Sequence, residues 1–468
     1  MNLAELMIRA EPANQPNGYT PTIATCPQNP PTIRSATGLS SEESQWLSIR
    51  RPNTLGPMTD FLNRVNITGF NATDYINTHS NNITALPNIG IAASGGGYRA
   101  MMNGAGIISA FDSREDNATV AGHLGGVLQS ATYLAGLSGG SWLVGSIYGN
   151  NFTTIENIIN QNGMTWDLTN SILEGPNRGI QILTSAEYYH DLFDEVGGKS
   201  DEGFNTTLTD YWGRALSFQL INATDGGPAY TWSSIADQEF FTSASVPMPI
   251  IIADGRAPGE IDIPSNTTIF EFNPWEFGTW DPTVYAFAPM EYVGTNFSNG
   301  AVVDTSRCVT GYDNIGYVYG TSSTLFNQIV LQFNTTVMLP SIIENAIQDG
   351  LNAFGRSDND IASWVNPFVG VHPETNKGAN SAELTLVDGG EDGENIPLHP
   401  LIQPYRDVDV IFAIDSSADT TYNWPNGTSM VATYERSLNS IQNGTNFPAV
   451  PDQNTFVNLG LNTRPTFL

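Results

Sequence analysis

The chain has 468 residues, of which only 14% are charged, yet 47 acidic residues against 17 basic ones leave it at −30. That balance excludes a nucleic-acid binder and a basic membrane-docking patch, and it repels anionic bilayers near neutral pH. No apolar run reaches the length of about eighteen residues that a spanning helix needs, so no transmembrane segment is expected.

Residues 1–40 are rich in Pro, Asn and Thr and read as chain wrapped over a surface. The arm proper is set at 1–25, with one domain over 26–468. Ser41-Glu42-Glu43 looks like a capped start and opens a helix through Trp46 and Ile49. Ile89-Gly90-Ile91-Ala92-Ala93 then reads as a short buried strand. It runs into Ser94-Gly95-Gly96-Gly97-Tyr98-Arg99, a row of unhindered backbone N–H groups followed by one arginine. Tyr133-Leu134-Ala135 reads as the end of a second buried strand, and Gly136-Leu137-Ser138-Gly139-Gly140-Ser141 puts a serine at the centre of G-x-S-x-G. The glycines allow a sharp turn that lifts Ser138 to the mouth of a pocket. Ser141 to Tyr148 continues as a buried helix whose N-terminus favours negative charge at Ser138. The aromatic stretch Trp275–Tyr292 reads as core, with part of it available to line an acyl pocket. Phe326 to Phe354 has helical periodicity and suits a cover or lid. Leu384-Thr385-Leu386-Val387 is strand-like and ends at Asp388, and Val408 to Ile414 reads as a late buried strand of the same sheet.

Two readings compete at the first turn. Gly95-x-Gly97-x-x-Ala100 fits the dinucleotide fingerprint, with Asp112 and Glu115 placed to serve a ribose, which would make the chain an oxidoreductase. In a hydrolase every part has a task instead. Gly96 and Gly97 donate to an oxyanion, and Arg99 offers a planar fork to a phosphate. A solvated surface arginine is the plainer account of Arg99. The serine needs a base. His79, His123, His190, His372 and His399 stand in no informative pattern, and His372 or His399 would be needed for a Ser-His-Asp triad. Asp388, at a strand end beside Gly389 and Gly390, is the better candidate, since partial burial would raise its pKa into a useful range. A calcium loop starting at Asp388 fails, because its third position is Gly390 and its twelfth is His399. No cofactor or metal is implied.

Taken in order, Ser-Gly-Gly-Gly-Tyr-Arg-Ala-Met, Gly-Leu-Ser-Gly-Gly-Ser-Trp and Val-Asp-Gly-Gly-Glu-x-x-x-Asn resemble the fungal lysophospholipase (phospholipase B) family. That family is similar to the catalytic domain of the cytosolic phospholipases. Thr231-Trp232-Ser233-Ser234, Phe272 to Gly278 and Gly320 to Asn327 resemble it too, so the likeness runs from about Cys26 to the last residue. It implies an α/β fold of patatin-like, cytosolic-phospholipase type: a single large domain with a central mixed sheet covered by helices. A meeting of Ser138 with Asp388, 250 residues later, asks for the same thing. It further implies a Ser138–Asp388 dyad, an oxyanion hole at Gly96 and Gly97, and a phosphate contact at Arg99. The partners would be lysophospholipids and diacyl phospholipids at micelle or membrane surfaces. A secreted glycoprotein that has lost catalysis is the remaining alternative.

Twelve N-x-S/T sites, at Asn66, Asn71, Asn82, Asn117, Asn151, Asn205, Asn222, Asn266, Asn296, Asn334, Asn426 and Asn443, suggest a glycosylated surface as a set, though each alone is a weak signal. Relatives in the resembled family usually carry a leader and extend beyond Leu468. Met1 to Ile8 is too short and too interrupted by Glu5 for a leader core. A clipped form of a secreted or cell-surface protein is therefore expected. Cys26 and Cys308 are the two cysteines, and they pair either with each other or with partners outside this sequence. The acidic balance weakens only as carboxylates protonate, so activity on anionic lipid is expected to favour acid pH, down to the point where Asp388 itself protonates.

Overall fold

A computed structural model describes residues 15, 17–160, 165–172, 174–176, 181–257, 260, 262–325 and 360–468. The expected lid helix between Phe326 and Phe354 lies outside them. So does Asn334.

Ten strands form the main sheet among the described residues: β1 (Arg34–Ser35), β2 (Ile89–Ala93), β3 (Ala131–Gly136), β4 (Met248–Gly255), β5 (Ile269–Phe272), β6 (Glu276–Thr279), β7 (Ala286–Pro289), β8 (Ala362–Val365), β9 (Glu383–Asp388) and β10 (Val410–Ile414). The order across it is β10-β2-β3-β4-β5-β6-β7-β1, with β9 joined to β4 and β8 to β9. The first four of that order are parallel, and the rest pair antiparallel. This is the mixed sheet the resemblance implies. Its parallel half carries the continuous apolar runs expected of strands covered on both faces. β3 and β4 are buried along their whole length.

Six helices bear on the sheet and the site: α1 (Ser41–Asn53), α2 (Gly97–Phe111), α3 (Gly139–Gly149), α4 (Leu208–Leu220), α5 (Ile315–Thr321) and α6 (Thr428–Ser437). Every residue of α3 is buried, as its apolar sequence predicts. The cap of α1 falls one residue before the predicted start: Ser40 accepts from the Glu43 N–H. Trp46 faces the core, whereas Ile49 is exposed. The Trp275–Tyr292 stretch contributes β6 and β7, with Phe277, Trp280 and Phe287 in the interior. The expected buried strand at Val408 to Ile414 needs correction. It begins at Val410, and only Ile414 is fully buried, because among the described residues β10 lies at the edge of the sheet with β2 as its one neighbour.

The arm is tied down at several points. Gln15 and Tyr19 are buried, and the Tyr19 hydroxyl donates to Asp210 at 2.7 Å. Thr22–Ala24 pairs antiparallel with Cys308–Thr310. Cys26 and Cys308 form a disulfide, which resolves the pairing the sequence left open. Of the twelve sequons, Asn66, Asn71, Asn82, Asn117, Asn266 and Asn296 are exposed. Asn222 departs from the expectation of a glycan. Its amide nitrogen, the atom that would carry the sugar, is buried. The Asn443 amide donates instead to the Trp280 carbonyl at 2.7 Å.

A buried ion cluster joins α1 to the sheet. Arg406 donates to Glu43 at 3.0 Å and to both oxygens of Glu271, at 2.6 and 2.7 Å. The Tyr133 hydroxyl donates to Glu43 and the Trp280 indole to Glu271. Burial pushes Glu271 up, but Arg406 and these bonds overcome it and hold the carboxyl below its usual range. Removing the cation would strand two interior carboxylates, a change that typically costs about 3–5 kcal/mol. Arg406→Met is therefore expected to lower unfolding stability by about that amount in a denaturant titration, whereas Arg464→Met, at an exposed terminal position, should leave the midpoint in place.

Candidate active site

The site arises from how β3 and β9 share β4. On one side β4 pairs with β5 through residues 251–254. Its other side is divided. β3 runs parallel to it and ends at Gly136, opposite Ile251. β9 runs antiparallel and ends at Asp388, opposite Ala253. Two strands thus point at each other along one edge, a single residue apart. β3 leads directly into the Ser138 turn, and β9 ends on Asp388 itself.

Ser138 has φ 50° and ψ −124°, a conformation that costs a side-chain-bearing residue energy and persists only where the surroundings enforce it. Here they do. The Ser138 N–H donates to both the carbonyl and the hydroxyl of Ser322, each at 3.0 Å. The Ser322 hydroxyl in turn donates to Ile252 O at 2.6 Å, the carbonyl lying between the two strand tips. From the helix side, the Ser141 hydroxyl donates to Ser138 O at 2.6 Å. The two glycine turns touch through backbone: a Cβ on Gly139 would fall inside the van der Waals radius of Gly97 O. Ser138 is 6% exposed and Asp388 is 4% exposed.

Asp388 Oδ1 accepts the Gly390 N–H at 2.9 Å, and its own N–H donates to Thr324 O. Oδ2 has no hydrogen-bond partner within the limits of a formed bond. The Ser138 hydroxyl is nevertheless near enough to act on the carboxyl. Burial raises Asp388 to about 7, and the influences of Ser138 and the Gly390 N–H pull against that rise. A carboxyl titrating near neutrality is well matched to accept a serine proton.

The loop after Asp388 is clamped. Asn395 receives the Gly95 N–H on its carbonyl at 3.0 Å, and its side chain donates to Gly95 O at 3.3 Å and to Ser417 Oγ at 2.8 Å. Further in, Arg436 of α6 bonds to Asp281 at 2.8 Å and lies 3.4 Å from Glu394 and 3.6 Å from Asp392. Asp392 is tied to β4, since its N–H donates to Asp254 at 2.9 Å. Burial raises Asp392 to about 6 and Glu394 to about 7. Asp281, also buried, is held down to about 2 because Arg436 and His399 overcome the burial.

Gly96 (φ 128°) and Gly97 (φ 62°) turn the chain into α2. Neither N–H donates to a protein acceptor in the backbone or side-chain bonds of the described residues, and the Cβ direction of Gly97 is open. Arg99, in the first turn of α2, is exposed, and its guanidinium donates to Asn423 O at 3.0 Å.

The competing assignments find their residues engaged elsewhere. Asp112 binds Arg114 through both oxygens and accepts from Gln129, and Glu115 accepts the Glu156 N–H. Neither is free for a ribose. His399 Nε2 lies 3.6 Å from Asp281, and His372 pairs with Glu374 at the surface. Among the described residues no hydrogen bond or ion pair joins a histidine to Ser138 or Asp388. Ser322 and Asn395 were present in the motifs without a task. Arg436 stood in no motif and left no sequence signal.

Residues 89–468 match the family model described as the lysophospholipase catalytic domain. The chain belongs to this family. It is a carboxylic-ester hydrolase. It is 63% identical to Lysophospholipase 1 of Aspergillus fumigatus over 99% of this chain and 74% of that protein. It is 58% identical to a lysophospholipase of Penicillium chrysogenum over 97% of this chain and 75% of that one. Human GIVD cytosolic phospholipase A2 shares the fold, with a TM-score of 0.60 at 18% identity over 92% of this chain and 56% of that chain.

The contact between the glycine turns yields a sharp expectation. Gly139→Ala drives a methyl into the Gly97 backbone and displaces the N–H groups beside it. Ester turnover should fall about a hundredfold or more, as when an oxyanion donor is lost. Gly106→Ala, where a Cβ meets nothing within 4 Å, should leave turnover unchanged.

Proposed function

We propose that this chain removes fatty-acyl groups from lysophospholipids, and from diacyl phospholipids as a second class, through a Ser138–Asp388 dyad and an acyl-enzyme. The observation that carries the reading is the head-on meeting of β3 and β9, which leaves an unpartnered, interior carboxylate oxygen beside a serine on a strained turn. Asp388 takes the Ser138 proton as Oγ attacks the ester carbonyl. The Gly96 and Gly97 N–H groups hold the resulting oxyanion. Collapse of this intermediate breaks the ester bond, and the proton on Asp388 goes to the leaving glycerophospho-alcohol. Water then gives a proton to Asp388, attacks the acyl-serine and releases the fatty acid, and the proton returns to Ser138. Arg99 contacts the phosphate of the head group. The relatives, which are named lysophospholipases, support the substrate class. The Cys26–Cys308 disulfide and the exposed sequons support a secreted or cell-surface setting.

Ser138→Ala is expected to abolish both fatty-acid release from lysophosphatidylcholine and covalent labelling by a fluorophosphonate, with the fold retained. Labelling that survives in the folded variant would move the nucleophile elsewhere. His372→Ala should keep most of its activity; a loss as deep as that of Asp388→Asn would restore the histidine triad.

The pH dependence is set by Asp388. Only the carboxylate accepts a proton, so kcat/KM on zwitterionic micelles should fall about tenfold per unit as pH drops below about 7. This displaces the acid-side preference drawn from net charge, which persists only as an offset on anionic vesicles and weakens with salt. Stability has the opposite sign. A raised acid pKa means that the folded state holds its proton more tightly than the unfolded chain, so stability declines as pH rises from about 4 to about 7. Asp388→Asn is uncharged throughout. It should lose nearly all turnover yet unfold at a higher temperature than the parent at pH 8, and at a similar one at pH 4.

A further inference from the structure

The segment after β10 runs along the glycine turn and then rises into solvent. The Ser416 N–H donates to Ser94 Oγ at 2.7 Å, the Asn103 amide donates to Ser416 Oγ at 2.8 Å, and Ser417 Oγ accepts from Asn395. Beyond it, residues 419–426 form a turn closed on itself. The Thr420 N–H donates to Trp424 O at 3.1 Å, the Trp424 N–H to Thr420 Oγ1 at 3.0 Å, the Asn423 N–H to Thr420 O at 2.9 Å, and the Asn426 N–H to Asp419 at 3.0 Å. Asn423 at the apex has φ 57°, and its carbonyl is the acceptor for Arg99. On either side of it stand Tyr422, 83% exposed, and Trp424, 58% exposed. Met102, one turn beyond Arg99 on α2, is exposed as well.

A turn this well bonded does not need two solvated aromatic rings to hold its shape. Tyr and Trp partition to the boundary of a lipid layer, where the ring lies among head groups and the polar atom stays wet. The charge nearby is mixed, with Asp415 and Asp419 beside Arg99, and the whole chain stands at −30. That suits a head group carrying both charges, and the aromatic faces suit its quaternary ammonium. Elsewhere Val65, Ile67 and Phe70 are exposed too, beside the exposed Asn66 and Asn71 sequons, whereas the sequon of this turn, Asn426, is half-buried at its foot with its side-chain oxygen held by the Thr428 N–H and hydroxyl. We propose that the Tyr422–Trp424 turn docks this enzyme on a zwitterionic phosphatidylcholine surface, with the Ser138 mouth turned toward the lipid. The proposal rests on the lysophospholipase reading for its substrate class.

Docking is measured apart from turnover, in the full chain bearing Ser138→Ala, by co-sedimentation with phosphatidylcholine vesicles. Tyr422→Ser with Trp424→Ser should weaken partitioning about tenfold or more, since two aromatic contacts are lost. Trp424→Phe should retain most of it. Binding should survive added salt. With Ser138 intact, the double variant should turn over a soluble short-chain nitrophenyl ester within about twofold of the parent, while its apparent KM for lysophosphatidylcholine above the critical micelle concentration rises. Brominated phosphatidylcholine should quench tryptophan emission in the parent more than in Trp424→Phe. Unchanged partitioning of the double variant, no partitioning by the parent, or binding confined to anionic vesicles and abolished by salt would each overturn the proposal. If the Ser138-intact enzyme releases no fatty acid from any lysolipid, the proposed function fails, whatever the sedimentation shows.

Discussion

Much of this molecule is organised around the carbonyl of Ile252. It lies on β4 between the last residue paired to β3 and the last residue paired to β9, and it takes the hydroxyl of Ser322. Ser322 receives the N–H of Ser138 on two atoms and the N–H of Gly389 on its carbonyl. One buried residue, Ser322, therefore holds both the strained serine and the start of the loop beyond Asp388. No side chain at position 252 is involved, so the constraint is a matter of backbone register. A shift of one residue in either pairing would turn the tip side chains to the opposite face of the sheet.

Such an arrangement keeps a carboxyl away from water without a permanent partner. Most buried charges in this fold are paired. Arg406 serves Glu43 and Glu271, Lys199 serves Asp210, and Arg436 serves the carboxylates behind the Asp388 loop. Asp388 stands with Asp254 and Asp313 among the exceptions: no cation lies within ion-pair distance of it among the described residues, and burial raises it to about 7. What sets it apart from those two is its place at the tip of β9, facing the end of the strand that leads into the strained Ser138 turn. Its neighbours Asp392 and Glu394 are also raised, but they face Arg436 and remain part of the scaffold.

The strands that lead to the candidate site were legible because they are short apolar runs that end in or just before glycine. Ile89–Ala93, the end of β3 and the Leu384–Val387 run all appear where the pattern places them. Order along the chain, together with the family likeness, was enough to bring Ser138 and Asp388 together. The edge position of β10 was not legible, because an apolar run does not say which of its faces has a neighbour. Nor was the cluster around Arg436. It gathers Asp254, Asp281, Asp392 and Glu394 from distant parts of the sequence, and no local spacing announces a contact that only the folded sheet creates. The side chain of Asn222 shows the limit of a motif: the sequon is intact in sequence, yet its nitrogen faces protein.

The stretch 415–436 links the glycine turn, the solvent-facing aromatics and the base loop in one piece of chain. Its first leg stands on the glycine turn through Ser416 and on Asn395 of the Asp388 loop through Ser417, and its second leg, α6, carries Arg436 behind the Asp388 loop. The aromatic turn is the crown between them. In mechanical terms it is a staple with its legs set in the glycine turn and the Asp388 loop and its crown in solvent. On the proposed reading, one continuous piece of chain joins the lipid contact to both halves of the site, and a push on the crown reaches each of them through a leg.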